Sequence, residues 1–252
     1  MYESIFFLSV MGFFAGLVDS AVGGGGLIQI PALFNALPEV APATLFGTNK
    51  FASIFGTASA ARTFIRRVKV PWVLVLPATV LAFVMSFAGA AVVSYVPKTV
   101  IKPVVLTLLI VMAIYTFWKK DFGKLHKPST IGVRERRMAA GIGGLIGFYD
   151  GLFGPGAGSF LIFLFIRCFA FDFLYASAAA KFVNLATNLA ALCFFVPSGN
   201  ILLHYAVPMA VSNIFGSLVG THLAMKGGAG FVRMLFLLML SLMIGKFAYD
   251  LI

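Results

Sequence analysis

Two lysines lie inside long apolar stretches, each following an aspartate and a run of glycines at the same interval. The first copy runs Asp19, then Gly23, Gly24, Gly25 and Gly26, then Asn49-Lys50; the second runs Asp150, then Gly154, Gly156 and Gly158, then Lys181. A charge in hydrocarbon is costly and marks function by default. At such depth a lysine supplies a compact cation for an oxyanion. A carboxylate there carries or gates protons, unless the two neutralise one another as a structural ion pair. Both readings stand for Asp19 and Asp150.

The glycines interrupt their blocks where each costs about 1 kcal/mol against alanine in a helix. Irregular backbone at membrane depth persists only where protein or a water-filled cavity covers it. A junction of two half-helices would aim backbone N–H groups at an anion with no side chain in the way. Tight helix packing also uses glycine, but four in succession exceed that need. Thr48 and Asn49 beside Lys50, and Asn184 one turn after Lys181, add neutral hydrogen-bonding groups, and Asn188 continues that face. For the asparagines, interhelical hydrogen bonding is an equal alternative. His222 falls within an apolar block, where a histidine is more often an interhelical bond than a proton relay.

No Ser/His/Asp set, CxxC pair, HExxH helix or ATP-binding glycine loop is present. Nothing argues for an enzyme, a cofactor or a bound metal. Cys168 and Cys193 lack metal or redox spacing and read as small apolar fillers.

The elements that must position these groups are membrane helices. The 252 residues are 61% hydrophobic and 11% charged, whereas soluble domains carry about a quarter charged residues. Eight apolar blocks cover roughly 4–33, 41–61, 71–95, 99–118, 138–166, 174–196, 201–224 and 229–251. The class is an all-α polytopic membrane protein, embedded in the lipid bilayer. The net charge of +11 resides mainly in two short loops, so it reads as topology signal and headgroup contact, not as nucleic-acid binding.

A gapless shift of 131 positions lays Gly12 on Gly143, Asp19 on Asp150, Lys50 on Lys181, Pro77 on Pro208 and Ser86 on Ser217. Matched Asp, Lys and Pro are scarce in apolar blocks, so the chain reads as two repeats. An N-terminal repeat spans 1–118, a basic cytoplasmic linker 119–137, and a C-terminal repeat 138–252. The loop after the second block carries Arg62, Arg66, Arg67 and Lys69, while its counterpart, Pro197 to Asn200, carries no charge. The positive-inside rule puts these on opposite faces, so the repeats are inverted. Inversion requires an odd number of crossings per repeat. The first and fifth blocks, each broken by glycine, then hold two short half-helices: a re-entrant hairpin or two tilted crossings. Lys98, Lys102 and Lys246 fall toward the outer face.

The stretch from Gly12 through Asp19 and the glycine run to Pro31, followed by Thr44 to Lys50, resembles the TauE/SafE family of membrane transporters. The second copy, with Gly154-Pro-Gly156-Ala-Gly158 and Lys181-Phe-Val-Asn184, resembles it too, so the likeness spans both halves. Pro155 and Ala157 depart from a plain glycine run, so the two half-sites differ. The resemblance implies export of sulfite or organosulfonates across a bacterial inner membrane. The expectation is a secondary transporter for a small anion, working by alternating access between the halves. Lys50, Lys181, Asn49, Asn184 and both glycine runs would bind substrate, and Asp19 and Asp150 would couple or gate. A non-transporting membrane scaffold or subunit, or a proton-coupled cation carrier, are the alternatives. A homodimer is left open.

Overall fold

The computed structural model describes residues 2–97, 99–100, 103–104, 106–107, 110–111, 114, 131–227, 241 and 245. Most of the blocks 99–118 and 229–251, linker residues 119–130, and Lys98, Lys102 and Lys246 lie outside the described residues.

Among the described residues, eight helices have defined bounds and there is no strand: α1 (Tyr2–Val22), α2 (Gly26–Ala36), α3 (Pro42–Ile65), α4 (Trp72–Val93), α5 (Val133–Leu152), α6 (Ala157–Phe169), α7 (Phe173–Phe195) and α8 (Leu203–Gly227). Four of them, α1, α4, α7 and α8, are long and apolar enough to cross a membrane. Starts are set by local chemistry. Pro42 opens α3, where its missing N–H leaves no bond unmade. Asp172 caps α7 by accepting from the Tyr175 N–H at 2.8 Å.

The glycine breaks fall at the ends of long helices and not in the middle of their blocks. α1 has 21 residues and α5 has 20, whereas α2 and α6 have 11 and 13. The long partners gain length because polar first turns are tolerated at the interface. α1 starts at Tyr2 with Glu3 in its first turn. α5 starts at Val133, taking in Arg134, Arg136 and Arg137, with the Gly132 N–H donating to Glu135 Oε2 at 2.8 Å. Each block is therefore one spanning-length helix followed by a short one.

Small residues bring the helices together. α1 lies parallel to α8, with Gly12 against Met209 and Gly16 against Asn213; α5 lies parallel to α4, with Gly143 against Ala78 and Gly147 against Ala82. The 131-residue shift carries each contact of one set onto a contact of the other. A Cβ at Gly147 would stand 2.6 Å from Ala82 Cα, so glycine here permits backbone contact. The register extends to buried bonds: Ser217 Oγ donates to Gly56 O at 2.7 Å, and Ser86 Oγ to Thr187 O at 2.9 Å. Between these pairs, α3 and α7 run antiparallel. Gly47 meets Phe195 near one end, and Phe64 clusters with Ala178 near the other. Lys50 and Lys181 lie on these two central helices. Val80 and Val84 on α4 and Val211 and Phe215 on α8 point outward, a surface suited to lipid.

Candidate functional site

Each lysine pairs with the aspartate of the other half. Lys50 Nζ, on α3, lies 2.8 Å from Asp150 Oδ2 near the end of α5; Lys181 Nζ, on α7, lies 2.8 Å from Asp19 Oδ2 near the end of α1. The lysine side chains are 3% and 1% exposed, and those of Asp150 and Asp19 are 5% and 16%. Burying four unpaired charges would cost several kcal/mol each; paired, they neutralise one another.

The two glycine breaks meet beside these pairs. Ser159, near the start of α6, donates its N–H to Gly23 O at 2.9 Å and its hydroxyl to Val22 O at 2.8 Å, closing the carbonyl end of α1. Gly23 has φ +81° and Gly154 φ +89°, left-handed backbone that any Cβ strains. Gly26 packs over Gly154 and Pro155 of the opposite break.

Between them is a cavity of about 20 Å³, room for roughly one water. Its walls are Asp19, Gly23, Gly26, Asn49, Lys50, Ser53, Thr57, Asp150, Gly154, Gly158, Asn184 and Asn188, contributed by both halves. Of the residues singled out by sequence, Lys50, Asn49, Asn184, Asn188, Asp19, Asp150, Gly23, Gly26, Gly154 and Gly158 converge here. Lys181 sits behind Asp19, outside the wall. Gly24, Gly25 and Gly156 do not line the cavity either; a Cβ on Gly25 would press 2.7 Å from Asp19 Cβ, so that glycine serves the turn. Thr48 faces away, donating to Thr44 O at 2.7 Å and accepting from the Leu202 N–H at 3.0 Å. His222 is exposed on α8.

Ser53 and Thr57 were not singled out by the sequence. They stand three and seven residues after Lys50, on its face of α3, and the 131-residue shift lays them on Asn184 and Asn188. That register was the available signal. Ser53 Oγ donates to Gln29 Oε1 at 3.2 Å, and Thr57 Oγ1 lies 3.5 Å from Asp19 Oδ2.

An all-helical membrane protein with charged pairs crossing between its halves at a small polar cavity has the form of a transporter. The profile of the family described as sulfite exporter TauE/SafE matches residues 8–247, and the chain belongs to that family. It is 34% identical over 232 residues to the probable membrane transporter protein ORF9 of a Sinorhizobium species, covering 92% of this chain and 87% of the relative. It is 33% identical over 251 residues to the probable membrane transporter protein YfcA of Escherichia coli K12, covering 98% and 89%. A probable membrane transporter protein of Haemophilus influenzae is 30% identical over 248 residues, covering 96% and 94%. No solved structure matches the chain. The protein is thus a multi-pass membrane transporter of the TauE/SafE family.

Proposed function

We propose that the protein is a secondary transporter that exports a small anion, a sulfur oxyanion such as sulfite or a short organosulfonate, across a bacterial inner membrane. The observation that carries this reading is the pair of buried Lys–Asp bridges, each joining one half to the other at the glycine breaks. An anion entering the cavity competes with a carboxylate for an ammonium group. Binding then loosens a bridge between the halves, which links occupancy to their relative position. A proton on the released aspartate would keep the site neutral, the coupling role proposed for Asp19 and Asp150. The cavity is too small for a sulfonate, so binding one requires the halves to part.

The antiparallel run of the equivalent helices α3 and α7 supports inverted repeats. A two-fold axis relating them lies across the helices, hence in the membrane plane. The name of the family, sulfite exporter, supports the substrate class. The test is flux into proteoliposomes with radiolabelled sulfite, thiosulfate, sulfate and sulfoacetate. Saturable flux of at least one, competed by the others, is expected; flux of none above protein-free vesicles would sink the anion reading.

A further inference from the structure

Lys50 and Lys181 are equivalent in register but not in surroundings. Lys181 Nζ donates to both the carboxylate and the backbone carbonyl of Asp19. That carbonyl belongs to the last turn of α1, where helix acceptors run short of partners and a cation is favoured by the helix dipole. The carbonyl also accepts from the Gly23 N–H at 2.8 Å, so Lys181, Asp19 and the glycine break form one clamp. Lys181 contributes nothing to the cavity wall.

Lys50 has one polar partner among the described residues, the Asp150 carboxylate, although an ammonium group has three donors. Its Nζ lies beside the bare backbone of Gly154, where a Cβ would stand 3.6 Å away. Asn49 next to it lines the cavity and is 3% exposed, and its amide NH2 is a group able to donate to an anion. Its counterpart under the 131-residue shift is Ala180. Lys50 therefore keeps free N–H donors, the groups an anion needs, whereas Lys181 spends one of its own on the Asp19 carbonyl.

We propose that the lysines divide the labour: Lys50 is the residue that contacts the anion, and Lys181 is a positioning residue that fixes Asp19 and the end of α1. The cavity accordingly takes a single anionic group, on the Lys50–Asp150 side. This rests on the reading of the cavity as the substrate site.

The test compares two double variants in proteoliposomes, with radiolabelled sulfite and sulfoacetate as probes. Lys50→Met/Asp150→Asn and Lys181→Met/Asp19→Asn each remove a whole pair, so neither leaves a buried charge stranded. The first is expected to raise KM about tenfold or more, the scale of a lost charged hydrogen bond. The second is expected to keep KM within about threefold, on the same scale, while lowering kcat and thermal stability. Equal rises in KM for the two, or an unchanged KM in the first, would overturn the division. The charge-keeping variants Lys50→Arg and Lys181→Arg serve if a double variant fails to fold. Lys50→Arg should change the preference between the probes and Lys181→Arg should not; the reverse overturns the assignment. Wild-type protein that moves neither probe overturns the substrate-site reading and this assignment with it.

Discussion

Lys50 of one half stands 2.8 Å from Asp150 of the other, and the 131-residue shift turns this bridge into Lys181 with Asp19, also at 2.8 Å. Within each half the lysine and aspartate share a repeat but not a bridge. The charged groups therefore hold the halves to each other, and neither half neutralises its own charges at this site.

Breaking one bridge from one side should cost more than removing it. Asp150→Asn leaves the Lys50 ammonium buried with no counter-charge, a loss of about 3–5 kcal/mol; Lys50→Met/Asp150→Asn leaves a neutral pair and recovers most of it. Thermal unfolding in detergent, followed by size-exclusion chromatography, measures the difference. The single variant should melt well below the double. Equal melting temperatures would show that the pair is not a desolvated bridge.

Much of this arrangement was readable in the residues, for a physical reason. Asp and Lys are so unfavourable in apolar blocks that Asp19, Lys50 and their echoes stand out without any structure. Which lysine meets which aspartate is a tertiary property, and spacing within a repeat does not encode it. Ser53 and Thr57 escaped notice because Ser and Thr are common in membrane helices, where they bond their own backbone, as Thr63 does with Ser59 O. The placement of the glycine breaks at helix ends was hidden by the polar first turns. Arg134 to Arg137 read as linker, yet three of those four residues are basic and ride on the interfacial start of α5.

The left-handed glycines Gly23 and Gly154 should respond differently to a methyl group. At Gly154 the added Cβ meets nothing closer than 3.4 Å, so Gly154→Ala costs only backbone strain, about 1–2 kcal/mol. At Gly23 the Cβ would overlap the backbone of Gly158 and Ser159 in addition to the strain. Gly23→Ala should therefore fail to give monodisperse protein, while Gly154→Ala gives folded protein with a lowered melting temperature. Gly141→Ala, with nothing within 4 Å, is the control and should not lower it. Two equally stable variants at 23 and 154 would argue against the close contact of the breaks.

The proposed inversion of the two halves makes a prediction about sidedness. Lys69 follows α3 in a loop with Arg66 and Arg67, and Ser198 follows α7 in the equivalent loop without charge. Because α3 and α7 run antiparallel, the two loops lie at opposite ends of the bundle. Basic loops stay on the cytoplasmic side. With Cys168 and Cys193 replaced by alanine, Ser198→Cys in intact cells should react with a membrane-impermeant maleimide. Lys69→Cys should react only after the cells are opened. Labelling of both positions from the same side would rule out inversion. It would also remove the geometric basis for alternating access about a shared site, because a cavity walled by both halves could then be approached by equivalent surfaces from one face only.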